Sequence, residues 1–123
     1  MLYTASFYEL GHWVGARYRI SRAHPRGRRT EWEVQPALYP SRALLTEYRQ
    51  GNLTFAELDV RYREELDETY EGDAGFRAFL ERLPDIGDFT LLCFEPAGQP
   101  CHRRCAAAWL LERAPGLDLG RLR

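Results

Sequence analysis

Lysine is absent: all 17 basic residues of this 123-residue chain are arginine. That absence excludes Schiff-base catalysis by a lysine amine and any phosphate loop that depends on one. Acidic and basic residues nearly cancel, leaving a formal charge of -1, so the chain lacks the basic excess of a general nucleic-acid binder. Only a local basic patch could serve that purpose. Long apolar runs are missing too. The longest, 106–111, is far short of the roughly 20 residues a membrane-spanning helix needs. Met1 leads straight into a strand-like segment with neither the basic nor the apolar region of an export signal, so a cytoplasmic protein with no membrane partner is expected. The three cysteines are few and odd in number, which argues against a disulfide framework and for reduced thiols or a metal.

What is present is 45% hydrophobic and 28% charged, the balance of one globular domain over 1–123. Residues 2–8 are rich in aromatic and small side chains, and 14–20 alternate apolar with polar, so both read as strands. The link between them is too short for the usual parallel crossover, so if they pair they do so antiparallel, in a mixed sheet. Residues 21–40, with three prolines and an arginine cluster, read as a long loop held by Trp32, Leu38 and Tyr39.

Three helices follow. The first starts at Ser41 after Pro40 and stops at Gly51. In the second, Thr54 and Glu57 have capping-box spacing, Leu53 and Leu58 make a hydrophobic staple, and Glu57, Arg61 and Glu65 form a solvated ladder at spacing four. The third runs from its cap Asp73 to Pro84. Residues 89–94 are apolar on both faces, as in a central strand, and a final helix from Cys101 to Arg113 is apolar nearly all round. The tail 117–123 reads either as a short edge strand or as irregular chain. The expected fold is α/β: a three-layer Rossmann-like domain with a small, mostly parallel or mixed sheet.

The chemistry concentrates between this last strand and helix. A thiol, an imidazole and two guanidiniums, Cys101 to Arg104, occupy a helix start, where free N–H groups favour anions. If the strand bearing Cys93 runs parallel to 14–20, their carboxyl ends share the edge at which open α/β sheets bind ligands. That edge would gather Glu95, Cys101, His102 and Arg103 with Arg19, Arg22, Arg26 and Gly27 into an anion pocket. Cys101 is the candidate nucleophile, His102 and Glu95 are candidate acid or base, and Arg103, Arg19, Arg22, Arg26 and Gly27 form the candidate ligand-binding set. The expected partner is a phosphorylated small molecule, a nucleotide or a nucleic-acid end, and the cofactor is left open. The alternative is a non-enzymatic interaction protein in which the Cys-His-Arg cluster is structural. Zinc could then be held by Cys101 and Cys105 with Cys93 or a histidine, although paired Cys-x-x-Cys knuckles are missing and no metal residue is assigned.

Leu91, Leu92, Cys93, Phe94 and Glu95, followed by Cys101, His102 and Arg103, resemble the strand-to-helix signature of the bacterial family catalogued as domain of unknown function 488. The segment 20–28, with Pro25, Arg26 and Gly27, and the Pro40-Ser41 pair ahead of a helix are similar to further family features, and the likeness covers 14–112. The resemblance implies a Rossmann-like cytoplasmic α/β protein and brings no activity with it. The chain is similar to a short form without the helix that some members carry between their first two strands, which leaves the direction of the first strand open.

Overall fold

Four short strands form one sheet in the computed structural model, which describes residues Met1–Arg123: β1 (Leu2–Ser6), β2 (Ala16–Arg19), β3 (Glu33–Val34) and β4 (Phe89–Cys93). Their order is β1-β4-β2-β3, and every pairing is parallel. All five residues of β4 are buried, which follows from its apolar side chains on both faces and its place inside the sheet.

The mixed sheet expected from the short link after the first strand is therefore not formed. β1 and β2 are not neighbours: β4 lies between them, with Phe89 opposite both Leu2 and Ala16. The chain steps over that gap through a single 3-10 turn, Leu10–His12, and no α-helix is needed. Gly15 brings it back into the sheet at φ +66, where a Cβ would stand 1.9 Å from the Asp88 carbonyl oxygen. β3 falls within the segment read as loop; only two exposed residues pair there, too few for a strand pattern to be visible.

The helices begin where side chains can satisfy their free N–H groups. Ser41 caps α1 (Arg42–Arg49) by accepting from the Leu44 N–H, and Gly51, at φ +77, ends it. Thr54 and Glu57 close a reciprocal capping box at α2 (Phe55–Gly72), while Leu53 and Leu58 of the staple are both buried. Asp73 caps α3 (Ala74–Arg82) through the Phe76 N–H. α4 (His102–Arg113) follows β4 after an exposed loop. Glu65 departs from the expected solvated ladder: its carboxylate accepts from both the Ser41 N–H and the Ser41 hydroxyl, tying α2 to the start of α1.

The result is a three-layer Rossmann-like domain. One sheet face meets the helices in a core of 19 buried residues, among them Leu2, Phe89, Leu91, Tyr62 and Trp109. The other face is covered by Phe7 and Trp32, which pack on Ala5 and Leu92 with Trp13 and Phe94 at the margin. The tail runs beside β1, with the Leu2 N–H donating to the Asp118 carbonyl (2.8 Å) and the Gly120 N–H to that of Leu2 (2.8 Å). No helix is long and apolar enough to cross a membrane.

Candidate functional site

Parallel pairing puts the carboxyl ends of β4 and β2 side by side, and the link to α4 turns back over them. Cys93 is the last residue of β4 and Cys101 caps α4 from an extended conformation (φ -150, ψ 143). His102 opens the helix. Its Nε2 is 2.9 Å from the Ile20 carbonyl oxygen, an acceptor only, so Nε2 carries the proton in the neutral ring. Nδ1 therefore presents its lone pair to the sulfurs, 3.6 Å from Cys93 Sγ and 4.0 Å from Cys101 Sγ. The ring is held from behind by Tyr62, edge-on at 5.6 Å between centroids, whose hydroxyl donates to the Leu38 carbonyl at 2.6 Å.

The two thiols are driven apart in acidity. Cys101 is lowered from 9.0 to about 3, first through the neighbouring Cys93 thiol, then through His102 and the Arg103 backbone N–H. Cys93 moves well above the ordinary thiol range, chiefly through the neighbouring Cys101, and burial adds to this. Both shifts point the same way, favouring the proton on Cys93 and the charge on Cys101. Partial desolvation of its carboxylate at the cleft wall and the charge of Cys101 raise Glu95, an otherwise exposed residue whose Oε2 accepts from Cys93 Sγ at 3.6 Å. Cys105 stands apart: burial and a hydrogen bond with Asp59 push it up to about 12, and it does not line the cleft described next.

Cys93, Cys101 and His102 lie in the wall of a cleft of about 420 Å³, together with Ser21, Glu95, Tyr48 and Phe55. Three arginines reach it: Arg22 from the loop after β2, and Arg42 and Arg49 from α1. None of the three is in a salt bridge; Arg22 donates Nε to the Pro40 carbonyl at 2.6 Å and lies over the Tyr39 ring. Cys93, Cys101 and His102 each offer one donor atom, all within 4.8 Å of one another, so this trio could also hold a thiophilic cation.

The sequence-based set is thus partly assembled. Glu95, Cys101, His102 and Arg22 meet in the cleft, whereas Arg19, Arg26, Gly27 and Arg103 do not line it. Arg19 donates to the Tyr39 hydroxyl (2.8 Å) and lies against that ring. Arg26 is exposed, and Gly27, at φ +70, turns the loop whose His24 rests on Trp32. Arg103 is fully buried, and its guanidinium donates to the carbonyls of Glu95 (2.7 Å), Pro96 (3.3 Å) and Arg123 (2.6 and 3.1 Å). It fastens the loop and the tail. Arg42 and Arg49 were missed, although their spacing of seven puts them on one face of α1, two turns apart.

A family model described as the active DUF488-N3 subclade, DUF488-N3a, matches residues 5–114. No curated protein and no solved structure matches the chain.

Proposed function

From the premise that the chain belongs to the DUF488 family, in a subclade described as active, we propose that it is an enzyme whose Cys101 thiolate attacks an anionic, phosphate-bearing ligand. The ligand class is a phosphorylated small molecule, a nucleotide or a nucleic-acid end. One observation carries the reading: a lowered thiol with an oriented imidazole shares a 420 Å³ cleft with three guanidiniums outside any salt bridge. Arg22, Arg42 and Arg49 receive the phosphate oxygens, for which arginine's planar fork is suited. The Cys101 thiolate is the nucleophile, and the neighbouring Cys93 favours its ionised form. His102 Nδ1 accepts or returns a proton while the Ile20 carbonyl fixes its tautomer. Glu95, raised by partial desolvation and by the charge of Cys101, serves as the acid–base group beside the leaving group.

A second reading, an interaction protein pinned by zinc, is favoured by the spacing of the same trio. With Zn–S about 2.3 Å and Zn–N about 2.0–2.1 Å, the edges of a tetrahedral site come to roughly 3.5–3.8 Å. For a sulfur–nitrogen edge the figure is roughly 3.5–3.6 Å; the Cys93–His102 separation of 3.6 Å fits it, whereas the Cys101–His102 separation of 4.0 Å would have to shorten on binding.

Thermal shift against inorganic phosphate, nucleotides, phosphorylated metabolites and short oligonucleotides tests the first reading. A ligand at about 100 times its Kd stabilises by about 2.7 kcal/mol, and that rise should vanish in the Arg42→Ala/Arg49→Ala double variant. Elemental analysis of the same preparation separates the readings. Stoichiometric zinc, with no shift from any phosphate-bearing compound, would favour the structural reading.

A further inference from the structure

Resting on the reading of Cys101 as the attacking sulfur, we infer that Cys93 is its resolving partner and that a hydroperoxide entering the cleft closes the two into a reversible disulfide. The two sulfurs lie within 4.8 Å of each other, in the wall of the same cleft. Closing that gap to the 2.03–2.05 Å of an S–S bond asks little of the fold. Cys93 is the last residue of a strand, Cys101 is a cap just outside a helix, and residues 95–100 between them are exposed and irregular. The Cys93 carbonyl is tied to the sheet by the Phe7 N–H (2.9 Å), so the movement falls on Cys101 and the exposed loop before it. His102 Nδ1, 3.6 Å from Cys93 Sγ and 4.0 Å from Cys101 Sγ, serves both sulfurs. The third cysteine packs towards Asp59 outside the cleft and provides an internal control.

The chemistry balances in two steps. The Cys101 thiolate attacks the distal oxygen of ROOH, the O–O bond breaks, and the alkoxide leaves with a proton as ROH; Cys101 is now a sulfenic acid. His102 takes the proton of Cys93, the Cys93 sulfur attacks Cys101 Sγ, the S–O bond breaks, and the leaving hydroxide is protonated to water. Two thiols lose two electrons in all, and the peroxide gains them. Oxidation consumes the nucleophile, and a dithiol reductant restores it, so the site is switched off and on without loss of the protein.

Trypsin makes the test direct, because both cysteines fall on the single arginine-bounded peptide 83–103 while Cys105 falls on 105–113. Protein treated with stoichiometric hydrogen peroxide is denatured in N-ethylmaleimide and digested. The expected result is peptide 83–103 lighter by two hydrogens and unalkylated, with 105–113 alkylated, and full alkylation of both after dithiothreitol. In Cys93→Ser, or in Cys93→Ala should the serine variant fold poorly, dimedone traps Cys101 as a sulfenic acid. Sulfinic acid then accumulates on the order of tenfold faster than in the native protein. Sulfinic acid on native Cys101 beside an alkylated Cys93, or a disulfide that includes Cys105, would overturn the inference. The readout is a mass and needs no ligand. A phosphate screen that fails while the disulfide forms would therefore sink the ligand reading alone.

Discussion

Arg103→Ala separates a ligand-binding arginine from a fastening one. Arg103 is fully buried, and its guanidinium is met by the main-chain oxygens of Glu95, Pro96 and Arg123. A hydrogen bond to a charged group is worth about 1.5–3 kcal/mol. Glu95 and Pro96 are exposed residues, so water replaces part of what their carbonyls lose; the Arg123 carbonyl, on a half-buried residue beside β1, regains less. The net cost is about 2–4 kcal/mol, or a fall of about 8–16 °C in Tm for a domain of this size. Arg103→Lys keeps the charge but not the fork, and should recover less than half of the loss. Thermal denaturation followed by circular dichroism measures both. A variant that melts within about 2 °C of the native protein while losing its response to phosphate compounds would refute this account and return Arg103 to the ligand site.

Cys101 should react with iodoacetamide at a rate that is nearly flat from about pH 5 to about pH 8, because a thiol lowered to about 3 is already ionised there. A rate that climbs tenfold per pH unit through that window would show an ordinary thiol. The same depression links to stability with a definite sign: the contribution of Cys101 is complete above its unperturbed value of 9.0 and is lost as pH falls towards about 3. Cys93, shifted upward, favours folding below its ordinary value and loses that contribution only as pH rises into the alkaline range. Because Cys93 is also the first cause of the Cys101 depression, a urea titration of Cys93→Ala should show a smaller loss of stability on acidification than the native protein, and an equal or larger loss would contradict the coupling. Gly15→Ala should cost about 3 kcal/mol or more, since a Cβ at positive φ would press into the Asp88 carbonyl; urea unfolding measures it, and a cost below about 1 kcal/mol would contradict the geometry. Tyr62→Phe should lose about 1–2 kcal/mol by orphaning the Leu38 carbonyl, yet leave Cys101 alkylation within about twofold because the ring behind His102 remains.

Much of the frame was legible residue by residue. The caps at Ser41, Thr54 and Asp73 stand where their side chains accept N–H groups of their own helices, and the apolar β4 is buried throughout. Of the site, Cys101, His102, Glu95 and Arg22 were named in advance and meet in one cleft. Arg19 and Arg103 went elsewhere because a guanidinium's direction depends on distant partners: Tyr39 for one, the tail at Arg123 for the other. α4 carries apolar residues around most of its circumference, so no periodicity marked which way its first turn would face. Arg42 and Arg49 bore the ordinary pattern of a solvated helix face.

The sequence by itself determined the helix ends, the central strand and the neighbourhood of the reactive thiol, because capping, periodicity and turn chemistry act over a few residues. Only the tertiary structure decided the strand order, with β4 inserted between β1 and β2, and with it the meeting of Ile20, Cys93 and His102. It also decided which arginines face the cleft and which fasten the chain. Those outcomes depend on contacts between residues as far apart as Thr4 and Arg123, whose pairing no local pattern encodes.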